Sequence, residues 1–106
     1  ASVALGRDAL SNSQNTVAIG KGAQALPWRT ISIGQDAGKN QAADKVGDKN
    51  EHINIGVNAG QNIDGQLNIS IGQSAGSDTQ GKGNIALGQN AGNHVGGTNS
   101  SIGNNR

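Results

Sequence analysis

A four-residue pattern, apolar, small, apolar, glycine, returns throughout this chain at intervals of about fifteen residues. The glycines that end it are Gly6, Gly20, Gly34, Gly56, Gly72, Gly88 and Gly103, spaced by 14, 14, 22, 16, 16 and 15 residues. Before them stand Leu5, Ile19, Ile33, Ile55, Ile71, Leu87 and Ile102, and two positions earlier Val3, Val17, Ile31, Ile53, Ile69, Ile85 and, in the last copy only, Ser100. The residue between each pair is small or polar: Ala4, Ala18, Ser32, Asn54, Ser70, Ala86, Ser101. Strict alternation over three or four residues is the period of a β-strand. A helix is excluded, because glycine or proline interrupts every candidate within about one or two turns.

The residues after each glycine are as regular as those before it. Three positions on comes Ala9, Ala23, Ala37, Ala59, Ala75 or Ala91, and in four units a second glycine comes next, at Gly38, Gly60, Gly76 and Gly92. The second position after the repeat glycine is Asp8, Gly22, Asp36, Asn58, Ser74, Asn90 or Asn105, residue types suited to tight turns. The unit therefore reads as strand, turn, and a return strand that starts at the alanine and second glycine. Stacking about seven such units of 14–16 residues gives an all-β, flattened parallel β-roll with rungs about 4.8 Å apart. The predicted interior is a stack of Val3, Leu5, Val17, Ile19, Ile31, Ile33, Ile53, Ile55, Ile69, Ile71, Ile85 and Leu87 against the alanines. The predicted rung turns fall at Gly6, Gly20, Gly34, Gly56, Gly72, Gly88 and Gly103, where a positive φ or a close approach of backbones calls for glycine.

The whole of residues 1–106 reads as one such domain. Its inventory excludes several functions. The 106 residues contain no Phe, Tyr, Met or Cys and one aromatic residue, Trp28. Without cysteine there is no disulfide framework and no thiolate chemistry. The eight cationic side chains stand singly in a chain of net charge +1, so no basic stripe tracks a phosphate backbone and nucleic acid is not the expected partner. No apolar run reaches membrane length, and the segment is not expected to insert into a membrane. The start at Ala1, without an initiator Met or a signal sequence, reads as a piece of a longer protein. No Ser-His-Asp context and no nucleotide-binding glycine fingerprint occur, so no enzyme and no cofactor is expected. The acidic residues lack the nonapeptide spacing of calcium-binding rolls, and the rung spacings are not multiples of the six residues of hexapeptide acyltransferases. The strand's wandering middle position, Ala, Ser or Asn, lacks the threonine ladder of ice-binding solenoids.

A few residues stand outside the repeat. The long interval from Gly34 to Gly56 carries an inserted loop around residues 39–51, with Lys45, Asp48 and Lys49 as candidate ligand contacts, since recognition often sits on loops of rigid scaffolds. Trp28, next to Pro27, is the one large aromatic surface, either available to a partner or folded back to cover the roll or the next chain of a trimer, the second reading being preferred. His52 and His94 lie in different units without a second ligand nearby, so they are read as surface residues and no metal is expected. Asn68 and Asn84, just before their strands, and Asn58 and Asn90, just after theirs, are placed to bond along the roll.

One strand of each unit supplies large apolar side chains and the other little more than Ala and Gly, so a single roll is thinly supported and association is expected. The segments SVALGRDA (2–9) and TVAIGKGAQA (16–25) resemble the head repeats of trimeric autotransporter adhesins of the YadA type, and NISIGQSAG (68–76) and NIALGQNAG (84–92) are similar to the same scheme. That resemblance implies a left-handed parallel β-roll, a homotrimer, exposure on the outer membrane of a Gram-negative bacterium, and binding of host extracellular matrix or a cell-surface receptor. It also admits an anion on the trimer axis, held by Arg7, Lys21 or Arg29. Similar Ile-Gly repeats occur in bacteriophage tail fibres, where such a roll is a trimeric shaft or spacer; that is the alternative.

Overall fold

The computed structural model describes residues 1–41 and 51–94, and the backbone of 101–102. These fold as strands and turns with no helix, stacked into a parallel β-solenoid of about five turns. Seven strands form one parallel sheet: β1 (Ser2–Leu5), β3 (Thr16–Ile19), β5 (Ile31–Ile33), β6 (Ile53–Ile55), β8 (Ile69–Ile71), β10 (Ile85–Leu87) and β11 (Ser101–Ile102), in that spatial order. The opposite side carries two short parallel pairs, β2 (Leu10–Ser11) with β4 (Gln24–Ala25), and β7 (Asp64–Gln66) with β9 (Gln80–Lys82).

Equivalent positions of successive units lie side by side. Val17 pairs with Val3 and Ile31, Ile53 with Ile31 and Ile69, and Ile71 with Ile55 and Leu87. The long interval between Gly34 and Gly56 leaves this register intact, because Ile31, Ser32 and Ile33 still face Ile53, Asn54 and Ile55.

Each repeat glycine closes a tight turn in which the alanine N–H donates to the glycine carbonyl, as from Ala59 to Gly56 at 3.3 Å and from Ala75 to Gly72 at 3.2 Å. The residue two after the glycine takes a left-handed conformation: Asp8, Gly22, Asp36, Asn58, Ser74 and Asn90 have φ between 54° and 68°. Asx and Gly side chains tolerate this region, so the turn residues seen in the sequence have a steric basis. The turns are also bonded between rungs, for instance Asn58 N–H to the Gln35 carbonyl at 2.9 Å. Gly103 lies outside the described residues.

The return strand differs from the expectation in an informative way. Where the alanine is followed by Leu10 or Gln24, a strand starts at once, as β2 and β4. Where a second glycine comes next, at Gly38, Gly60 and Gly76, that glycine takes φ of 63–66° and the chain turns again. Asn40, Asn62 and Asp78 repeat the left-handed conformation two residues later. The return strands β7 and β9 begin only after this second turn, at Asp64 and Gln80. Ala-Gly is therefore a double-turn signal.

The sheet's two faces are also reversed relative to the expectation. Along β3 burial alternates with Thr16 and Ala18 buried and Val17 and Ile19 only partly so, and β5, β6, β8 and β10 bury only their middle residues, Ser32, Asn54, Ser70 and Ala86. The core consists of these small residues with Ala23, Ala25, Ala37, Ala59, Ala75 and Ala91, these alanines all at 0% exposure, and Ile63. None of Val3, Leu5, Val17, Ile19, Ile31, Ile33, Ile53, Ile55, Ile69, Ile71, Ile85 or Leu87 is in it. The reason is volume. Inside the roll the middle residue of a strand packs against the second glycine of its own unit: a Cβ on Gly76 would overlap the side chain of Ser70, and one on Gly60 that of Asn54. That gap admits Ala, Ser or Asn and no branched aliphatic, so the alternation turns the large side chains outward.

A filled interior of this kind has little slack. Ala75→Leu adds three carbons at a fully buried position in contact with Ala86 and Ala91, and overpacking is expected to cost about 3 kcal/mol. Chemical denaturation would show it as a lower midpoint, whereas a midpoint equal to that of the parent would mean the interior has room to spare.

Candidate functional site

The consequence of the inverted faces is a surface. Two ladders run across the outside of the seven-stranded sheet, Val3, Val17, Ile31, Ile53, Ile69, Ile85 and Leu5, Ile19, Ile33, Ile55, Ile71, Leu87, held in register by the strand pairing. All are at least partly open to solvent, with Leu5 at 63%, Val3 at 50%, Leu87 at 48% and Ile55 at 37%. Scattered exposed aliphatics are ordinary on a protein surface; a contiguous apolar band rimmed by polar residues marks an interaction site. The rim here is the residue after each repeat glycine, Arg7, Lys21, Gln35, Gln73 and Gln89, with Val57 the one apolar member, all exposed.

At the other border of the band, Arg29 Nη1 and Glu51 Oε1 form an ion pair at 2.5 Å. With Ile31, Ile53, Leu67 and Ile69 they line a groove that His52 also reaches. Glu51 is the last residue of the predicted 39–51 loop; Lys45, Asp48 and Lys49 lie outside the described residues. Trp28 is 39% exposed while Pro27 beside it is buried, so the indole stands at the surface on a fixed neighbour. Of the three cations considered for an axial anion, Arg29 is engaged by Glu51, Arg7 lies 3.7 Å from Asp8, and Lys21 is exposed on the rim.

The two histidines part company. His94 is exposed and lies 3.3 Å from Asp78, as expected of a surface residue. His52 corrects the expectation: it is 1% exposed, in an inward row with Thr16, Thr30, Asn68 and Asn84, all buried. Burial pushes its pKa down to about 4. Because this row stands one residue before the first outward aliphatic of each strand, it shares the inward face with the middle positions, and the sequence signal was available in Asn68 and Asn84. Those asparagines do bond along the roll: Asn68 Oδ1 accepts from the Asn84 N–H at 2.9 Å, and Asn68 Nδ2 donates to the Gly81 carbonyl at 3.0 Å.

Among the described residues no group of three or more His, Asp or Glu side chains is arranged to hold a metal ion. Compared with known protein families, with curated proteins and with solved structures, the chain finds no match in any of the three.

Proposed function

We propose that this chain is a non-enzymatic adhesion module of a bacterial surface, in which three copies pack their rolls through the apolar ladders and the resulting head binds host extracellular matrix or a cell-surface receptor. The observation that carries the reading is that the large aliphatic side chains stand on the outside of a roll whose inside is already filled. Twelve side chains share that face, and removing the exposed part of each from water contributes about 1 kcal/mol, on the order of 10 kcal/mol in all. That is comparable with the roughly 4–15 kcal/mol cost of association, so the band is of the size an assembly needs.

The number three, the left-handed sense of the roll and the location on the outer membrane of a Gram-negative cell come from the likeness of SVALGRDA and TVAIGKGAQA to YadA-type heads. Receptor contacts then fall on what assembly leaves free, with Trp28 and the 39–51 loop as the first candidates. Binding needs no cofactor, metal or membrane insertion by this segment.

Light scattering during gel filtration tests the assembly: the expected mass is three times the 10.6 kDa of one chain, and a folded monomer would overturn the reading. Retention on surfaces coated with matrix protein or with cells tests the adhesion. A trimer that binds neither would instead be a shaft or spacer, as in a tail fibre.

A further inference from the structure

In the inward row that precedes the strands, one rung's side chain accepts a hydrogen bond from the main chain of the next. Asn68 Oδ1 accepts from the Asn84 N–H at 2.9 Å, and His52 Nδ1 accepts from the Asn68 N–H at 3.3 Å. The ring thus stands where the next rung places an amide oxygen. With Nδ1 acting as acceptor, its proton sits on Nε2, and the ring also meets the backbone of Gly65 across the roll. An amide oxygen keeps its acceptor role at any pH. An imidazole loses it on protonation, since both nitrogens then donate.

We infer that His52 is an acid-sensitive joint in the middle of the roll: on protonation its Nδ1–H is set against the Asn68 N–H, and the two rungs part at this point. The ring is closed off from water, so the charge has no hydration to compensate it. The backbone contact with Gly65 favours the charged ring, but less than burial disfavours it, and the ionisable groups that border it give no relief. Glu51, the adjacent carboxylate, is already paired with Arg29 at 2.5 Å; Asp64, next to Gly65, is exposed; β5 and β8, on either side, contain no ionisable side chain.

The direction of the shift sets the pH window. The folded form holds His52 neutral down to about pH 4, while the unfolded chain takes up a proton near 6.5. Stability is therefore complete above pH 6.5 and falls as the pH drops towards 4. Ile53 and Ile69 are the outward neighbours of the joint, so acid also loosens the apolar band at mid-roll. This last step rests on the proposed assembly through that band; the joint itself does not.

The test compares thermal unfolding of the parent chain and His52→Asn from pH 7.5 to 4.5. Asparagine restores the acceptor of the neighbouring rung without a titrating group. The parent is expected to lose on the order of 10 °C more than the variant over this range, the carboxylates titrating alike in both. Parallel curves would overturn the joint. Should His52→Asn fail to fold, proton–nitrogen correlation spectra of His94→Asn, which leaves a single imidazole, read His52 directly. A neutral Nε2–H ring persisting at pH 5 is expected, and titration near pH 6.5 in the folded state would overturn the inference. Gel filtration at the same pH values separates this outcome from the assembly reading, because a chain that is monomeric at pH 7.5 rejects the trimer while leaving the joint to the spectra.

Discussion

Ile71→Asp is expected to convert the proposed trimer into single chains that retain their β-sheet signature. Ile71 sits in the second outer ladder between Ile55 and Leu87, and its side chain points away from the roll. In a free chain a carboxylate there stays in water and costs little beyond a poorer strand former, about 1 kcal/mol at most. In an assembly packed through this face each copy would bury an unpaired charge, at a cost of several kcal/mol per charge. That offsets much of the roughly 10 kcal/mol each copy's band contributes and leaves too little to meet the cost of association. Light scattering should read 10.6 kDa with the circular dichroism of the parent. A variant that keeps the parent's higher mass would show that partners meet somewhere other than this face.

That prediction depends on the reversal of the sheet's faces, which marks how far the sequence could be read. Strand positions were legible because Val3–Leu5, Val17–Ile19, Ile31–Ile33, Ile53–Ile55, Ile69–Ile71 and Ile85–Leu87 alternate strictly and end on glycine; each is observed as a strand or most of one. Turns were legible because Asp8, Asp36, Asn58, Ser74 and Asn90, with φ between 54° and 61°, are residue types that tolerate the left-handed region. Alternation, however, defines two faces without saying which is inside. The usual rule sends the large aliphatics inward, and it fails where the opposing backbone is held at glycine distance. The warning was present in the second glycines, Gly38, Gly60 and Gly76, which leave no space beneath Ser32, Asn54 and Ser70.

His52 was missed for a related reason. A lone histidine among polar neighbours resembles a surface residue, and only the register with Asn68 and Asn84 reveals the inward row to which it belongs. The candidate contacts Lys45, Asp48 and Lys49 were found through the long interval in the repeat, a signal that locates an insertion without positioning its side chains. Trp28 was found by its rarity, and its exposure agrees with a surface role without naming a partner.

Gly56→Ala is expected to unfold the middle of the roll. Gly56 has φ of 134°, a conformation that side-chain-bearing residues rarely adopt, and an added Cβ would lie 2.6 Å from the carbonyl oxygen and 2.7 Å from the carbonyl carbon of Gly72. Both obstacles are backbone, in a rung fixed by the bond from the Gly72 N–H to the Ile55 carbonyl at 2.8 Å, so neither can swing away. Backbone strain of about 1–3 kcal/mol adds to the loss of inter-rung bonds at about 1 kcal/mol each. The sum is a large part of the roughly 5–15 kcal/mol that holds a typical domain together. Gly83→Ala is the matched control: Gly83 has φ of 72°, yet nothing lies within 4 Å of its added Cβ, leaving only the left-handed penalty of roughly 1–2 kcal/mol. Thermal unfolding followed by circular dichroism should therefore fall by more than about 15 °C in Gly56→Ala and by about 5–10 °C in Gly83→Ala. Equal losses would mean that conformational preference alone places the repeat glycines; the predicted gap would mean that the contact between successive rungs does.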